Sequence, residues 1–203
     1  MQPPNQERTD SAVRGIGMGG DREGGGALEE LVVRAQHGDT AAFEQLVIEH
    51  THETFRLAVA MVGPDDAYDA AQEAFVQAWR HLRELREPAL FTGWLRAITV
   101  NACRMQLRSD RRRPATVAWD GSAHDPTDPA ADAAADVGGR DVVDRAFDEL
   151  SPDVRAVLAL HYVSDLPLSE VAATLGVPEG TVKSRLNAGL RALRGRIRAE
   201  GMP

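Results

Sequence analysis

Between Gly180 and Arg198 the chain places Lys183, Arg185, Arg191, Arg194, Arg196 and Arg198 without a single Asp or Glu, although its formal net charge is -8. A second stretch, Phe91 to Arg113, holds six arginines against Asp110 alone. Guanidinium and ammonium groups at helical spacing donate to phosphate oxygens and to the O6 and N7 atoms of guanine, so the chemistry they offer is recognition of a polyanion. Residues for bond making are poorly arranged. His50 and His52 are two apart and cannot turn both rings to one helical face. Asp125, Asp128, Asp132 and Asp136 fall in a stretch that reads as a linker, and Cys103, the sole cysteine, has no histidine pattern to activate it. One cysteine also excludes an internal disulfide or an all-cysteine metal site. No catalytic residue, metal or cofactor is expected.

The elements that carry these charges follow from periodicity. At about 100° per residue, Val182, Leu186, Leu190, Leu193 and Ile197 fall within roughly 80° of arc, a seam to bury. Lys183, Ser184, Asn187, Arg191, Arg194 and Arg198 occupy the neighbouring arc. Upstream, "LPLSEVAATLGVPEGTVKSRL" predicts a short helix from Leu168 to Leu175, a turn at Gly176-Val177 and a second helix opened by Pro178. Glycine supplies the positive φ of a helix C-terminus, and proline suits a first turn because its missing N–H has no partner there. Two helices joined in this way form a helix-turn-helix, which presents the first residues of its second helix to a major groove.

The other cationic helix reads the same way. Phe91, Trp94, Leu95, Ile98, Ala102 and Met105 form its seam, while Arg96, Ala97, Val100, Asn101, Arg104 and Arg108 line the far side. Before it, "LEELVVRAQ" and a helix from about Ala41 to Met61, with Phe43, Leu46 and Val47, lead to a break at Gly63-Pro64. The helix "DDAYDAAQEAFVQAWRHL" gathers Ala67, Ala71, Ala74, Phe75, Ala78 and Leu82 on one stripe, and small residues there imply close helix approach. Asp69, Glu73, Gln77 and Arg80 lie opposite.

The 203 residues are 43% hydrophobic, enough for packed cores, and the prevalence of Ala, Leu, Arg and Glu favours helices. The expected fold is all-α, with two small helical domains at 27–113 and 140–198. Glycine-rich residues 1–26 are expected to form a disordered tail and residues 199–203 a short one. Between the domains, residues 114–139 hold five Asp and no Lys or Arg, a flexible acidic linker. Fully extended it spans roughly 85–90 Å, more than two duplex turns of ~34–36 Å each. No run of about 18 apolar residues occurs and no secretory leader is recognisable, so a cytoplasmic protein without membrane insertion is expected.

Taken together, "DAAQEAFVQAWRHL", "FTGWLRAITVNACRMQLR" and "LPLSEVAATLGVPEGTVKSRL" resemble the extracytoplasmic-function sigma factors of bacterial RNA polymerase, the two-domain members of the sigma-70 family. The likeness covers about Leu28 to Arg112 (region 2) and Val142 to Arg196 (region 4). It implies a factor that binds core polymerase and directs promoter recognition, melting and initiation. Asp69, Gln72, Glu73, Gln77 and Arg80 would dock on the beta-prime clamp helices, and region 4 would meet the beta flap. Arg96, Val100, Asn101, Arg104, Arg108, Arg111 and Arg112 would meet the minus-ten element, with Asn101 reading a base. The loop "RELREPAL" would hold an extruded base. Glu179, Thr181, Lys183, Ser184, Arg185 and Asn187 would meet the minus-thirty-five element. An anti-sigma factor is implied as a further partner. Two positions depart from the family pattern: Ala188 where another basic residue is common, and Leu85 where an aromatic is common. A helix-turn-helix regulator acting alone is the competing reading; it predicts tight promoter binding without polymerase and leaves the first domain unexplained.

Overall fold

A computed structural model describes residues 24–110, 146, 147 and 149–199. The elements, in order, are α1 (Gly24–Gln36), α2 (Thr40–Val62), α3 (Pro64–His81), 3₁₀ turns at Leu82–Glu84 and Pro88–Leu90, α4 (Phe91–Asp110), α5 (Pro152–Tyr162), α6 (Leu168–Leu175) and α7 (Glu179–Ala199). No strand occurs among the described residues. The chain is all-helical with two helical modules, α1–α4 and α5–α7. The helix α1 begins at Gly24, inside the stretch expected as tail. The acidic stretch 114–139 lies outside the described residues.

Local chemistry explains the helix ends. The Asp39 carboxylate caps α2 by accepting from the Ala42 N–H at 3.1 Å, while Arg34 donates to its other oxygen at 2.7 Å. The Ala42 N–H and then the Arg34 guanidinium hold the Asp39 carboxyl below the usual carboxylate range. Between α2 and α3, Gly63 at φ 87° turns the chain, and Pro64 follows at the start of α3. Ala67, Ala70, Ala71, Ala74 and Ala78 are all buried along α3, as a small-residue stripe requires for α2 and α4 to approach.

Two apolar clusters result. The first lies inside the N-terminal module, where Val32, Ala35, Leu46, Ala74, Ala78, Leu82, Phe91, Trp94, Leu95 and Ile98 are buried together. The second straddles both modules: Leu57, Ala58, Met61, Ala67, Val100 and Cys103 share one core with Ala156, Val157, Leu160, Leu166, Val171 and Val182. Polar ties cross the same seam. The buried Arg155 donates to the Met61 carbonyl at 3.0 Å, and Arg56 donates to the Val163 carbonyl at 3.2 Å.

Candidate nucleic-acid interface

The helix-turn-helix is built by α6 and α7. Gly176 adopts the left-handed conformation (φ 62°, ψ 37°) and its N–H reaches back to the Ala172 and Ala173 carbonyls, ending α6. Pro178 stands just before α7 rather than within it. The seam of α7 is shallower than its periodicity suggests: Val182 is buried, whereas Leu186, Leu190, Leu193 and Ile197 are partly covered. Gly189 makes the closest approach. A Cβ there would lie 2.8 Å from Val154 Cγ1 and 2.9 Å from Leu158 Cδ1, so α7 crosses α5 where a methyl group does not fit without displacement.

At the start of α7, Lys183, Ser184 and Asn187 are exposed and Thr181 is half-buried. Lys183 Nζ lies 2.7 Å from Glu179 one turn earlier, and the Ser184 hydroxyl donates to the Thr181 carbonyl at 3.0 Å. Arg185 leans the other way and donates to Asp153 Oδ2 at 2.8 Å.

The surroundings of α4 differ. Arg96 Nε donates to Glu53 Oε1 at 2.5 Å. Val100 is 1% exposed and Ala97 is buried, where periodicity alone gave an open face; α5 and α6 pack against this side of α4. Asn101 is half-buried. Arg104 reaches Asp153 Oδ1 at 2.8 Å, the same carboxylate that holds Arg185. Arg108 is exposed, and Arg111 and Arg112 lie outside the described residues. Met105, expected in the seam, is 60% exposed because it falls beyond the end of the first core.

The face of α3 proposed for polymerase stays open: Asp69, Gln72, Glu73 and Arg80 are exposed, and Gln77 donates to Glu73 at 2.8 Å. Beside it runs an apolar groove of about 600 Å³ between α2 and α3, lined by Phe43, Val47, Phe55, Tyr68, Phe75 and Trp79 among others. The Phe43 and Trp79 rings stand 4.8 Å apart. In the loop before α4, Leu85 is buried and its carbonyl accepts from Gln36 Nε2 at 2.6 Å, so the side chain serves the core. Cys103 is buried in the shared core, and burial pushes its thiol up to about 12. Among the described residues no group of three His, Cys, Asp or Glu side chains could hold a metal ion.

Sequence reasoning missed Asp153 and Glu53, which hold the arginines. Asp153 carries the ordinary signature of an acid in a first helical turn, where it complements the helix dipole, and nothing in its spacing announces a partner on α4.

Comparison with known proteins decides what this pairing of modules is. The family model for Sigma-70 region 2 matches residues 46–113, and that for Sigma-70 region 4 matches residues 140–193. The ECF RNA polymerase sigma factor SigM of Mycobacterium tuberculosis is 35% identical over 171 residues, covering 84% of this chain and 83% of that protein. The chain belongs to the ECF sigma factors. It directs RNA polymerase to promoter-specific initiation of transcription. The solved structure of CnrH in complex with the cytosolic domain of CnrY aligns at a TM-score of 0.60 and 25% identity, covering 86% of this chain and 99% of that one. The sigma factor RpoE from Bartonella quintana, solved with the anti-sigma factor NepR, shares the fold at a TM-score of 0.58 and 21% identity, over 77% of this chain and 96% of that one. The N-terminal module thus carries region 2 and the C-terminal module region 4. No described helix is long and apolar enough to cross a membrane.

Proposed function

We propose that this sigma factor divides promoter recognition between α4 and α7 and meets core polymerase through the open face of α3. Region 4 would place Glu179, Thr181, Lys183, Ser184, Arg185 and Asn187 at the minus-thirty-five element. Arg96, Val100, Asn101, Arg104, Arg108, Arg111 and Arg112 would meet the minus-ten element, where melting exposes bases. Asp69, Gln72, Glu73, Gln77 and Arg80 would dock on the beta-prime clamp helices, and region 4 on the beta flap. The observation that carries this reading is the exposure of Lys183, Ser184 and Asn187 on the first turns of a helix seated against α5 and α6. A flipped base costs a few kcal/mol of unstacking, which the polymerase surface must help to offset. The factor works in the cytoplasm and performs no catalysis of its own. An anti-sigma partner fits the complex with NepR in which RpoE of Bartonella quintana was solved.

The test is run-off transcription with purified core polymerase on genomic fragments, followed by mapping of start sites. Joint substitution Arg96→Ala and Arg104→Ala is expected to abolish open complexes while leaving core binding intact. Equal loss of core binding would contradict the assignment of α4 to the promoter.

A further inference from the structure

The second apolar cluster leaves a question: which groups decide whether α5–α7 stay seated on α4? The seam is apolar at its centre, and at its rim stands one carboxylate between two cationic helices. Asp153 Oδ1 takes Arg104 of α4 at 2.8 Å, and Asp153 Oδ2 takes Arg185 of α7 at 2.8 Å. The two arginine side chains are 16% and 25% exposed and the Asp153 side chain is 46% exposed, so both contacts are shielded on the arginine side and screened by water on the carboxylate side. Arg104 and Arg185 are the residues assigned above to two different promoter elements, some 80 positions apart in sequence.

We propose that Asp153 is a positioning residue that clasps regions 2 and 4 together and occupies an arginine of each DNA-contacting face, so that the free factor masks its own minus-ten helix. A phosphate or base edge must displace the carboxylate from Arg104, and α4 is bared only when α5 and α6 leave Val100. Promoter contact by α4 and closure on α5–α7 are mutually exclusive states of one equilibrium. Whatever stabilises the open state, core polymerase above all, raises the DNA affinity of region 2 by that shift. Arg56 and Arg155 add ties to backbone carbonyls across the same seam, but neither engages an arginine assigned to DNA. The inference rests on the assignment of α4 and α7 to promoter contact.

The full chain supplies its own probe. Cys103 is the sole cysteine and lies buried in the shared core. Its reaction with an aromatic disulfide reagent therefore reports opening without DNA, and small-angle scattering reports the accompanying increase in radius of gyration. Asp153→Asn is expected to raise the Cys103 reaction rate about 3- to 10-fold, the range set by two partly screened ion pairs. It is also expected to increase the affinity of the free chain for a forked minus-ten DNA by a similar factor. Asp153→Glu, which keeps the charge, restores most of the closed behaviour; a double-mutant cycle of Asp153→Asn with Arg185→Gln is non-additive in thiol access, whereas a residue acting only through the dipole of α5, which Glu also serves, would give additive effects. Should Asp153→Asn fold poorly, Arg56→Gln loosens the same seam from α2 without touching the clasp or α4, and the same two increases are expected at smaller size. Unchanged thiol reactivity and radius in Asp153→Asn overturn the clasp, whatever Arg56→Gln does, and unchanged values in Arg56→Gln overturn the opening of the seam. An opened chain with no gain in DNA affinity overturns the masking role. In that event, run-off transcription with Arg96→Ala and Arg104→Ala shows whether the promoter assignment has failed as well.

Discussion

The two basic helices carry similar sequences of charge and meet opposite fates. On α7, Lys183, Ser184 and Asn187 face solvent, and only Arg185 turns back to Asp153. On α4, Val100 and Ala97 are buried, Arg96 is tied to Glu53 and Arg104 to Asp153, leaving Arg108 as the exposed arginine among the described ones. The difference lies in what each helix packs against. One side of α7 rests on α5 and α6 of its own module. Its other side is uncovered by any described element. For α4, the inner side rests on α2 and α3, and the outer side is taken by the second module. A helix with an apolar residue such as Val100 in its cationic face can be covered in one state and used in another. A helix whose cationic face starts with Lys, Ser and Asn has no apolar surface there to bury.

The strongest way to break this contrast is to disturb the seating of α7, and two glycines on that helix provide opposite tests. At Gly189 an added Cβ meets Val154 and Leu158 at 2.8 and 2.9 Å, whereas at Gly195 nothing lies within 4 Å. Overpacking costs typically about 1–3 kcal/mol and the gain in helix propensity returns about 1 kcal/mol, so Gly189→Ala is expected to lose up to about 2 kcal/mol in urea unfolding. Gly195→Ala gains up to about 1 kcal/mol from the same propensity. Equal effects at both sites would mean that the crossing of α7 over α5 is not close in solution.

These glycines also show how far the sequence was legible. The helix-turn-helix was readable residue by residue, because Gly176, Pro178 and the run from Val182 obey local rules of caps and periodicity. The α3 stripe was readable for the same reason: five buried alanines are a local pattern. Periodicity could not say which of two faces of α4 would be covered, since the covering atoms come from residues some 50 to 80 positions later. It gave Phe43 and Phe75 as ordinary apolar residues of their helices, and both do pack against the first core, but it did not show that they also line an open groove with Tyr68 and Trp79. Gly189 caps no helix and sits in no turn, so nothing local explains it; its reason resides on α5. Asp153 was the hardest to find, because a first-turn acid has a complete local explanation and its two arginine partners are set by tertiary packing.

The contrast sharpens in the DNA binding of the free chain. Lys183→Ala removes a donor that is already exposed, so affinity for minus-thirty-five duplex is expected to fall without polymerase present. The slope of log affinity against log salt drops by about 0.9 if the lysine neutralises one phosphate. Arg108→Ala removes an exposed donor, but in the free chain the rest of its helix face is covered at Val100 and a single contact cannot seat the helix on DNA, so duplex binding there is expected to change little. In holoenzyme, where α4 is bared, the same substitution should weaken promoter binding and its salt slope by about the same single contact. Filter binding across a salt series, with and without core polymerase, separates the two. A loss at Arg108 as large without polymerase as with it would show that α4 is already open in the free factor.

The smallest expected effect concerns the base of α4. His50 on α2 stands with its ring centroid 5.3 Å from that of Phe91, the first residue of α4. Burial favours the neutral imidazole and lowers its pKa; Glu53 and Glu49 act in the opposite direction, and Arg96 adds to the lowering. A folded-state pKa below the ordinary value of about 6.5 means that the unfolded chain binds the extra proton first. The contribution of neutral His50 to stability is therefore complete above pH about 6.5 and is lost as pH falls through the depressed folded value. Unfolding free energy should decline across that window in the wild type and decline less in His50→Gln, whose side chain does not titrate. Because the second module covers α4 far from Phe91, Asp153→Asn should leave this pH slope unchanged; if it moves with Asp153, the packing of α2 on α4 is coupled to closure of the two modules.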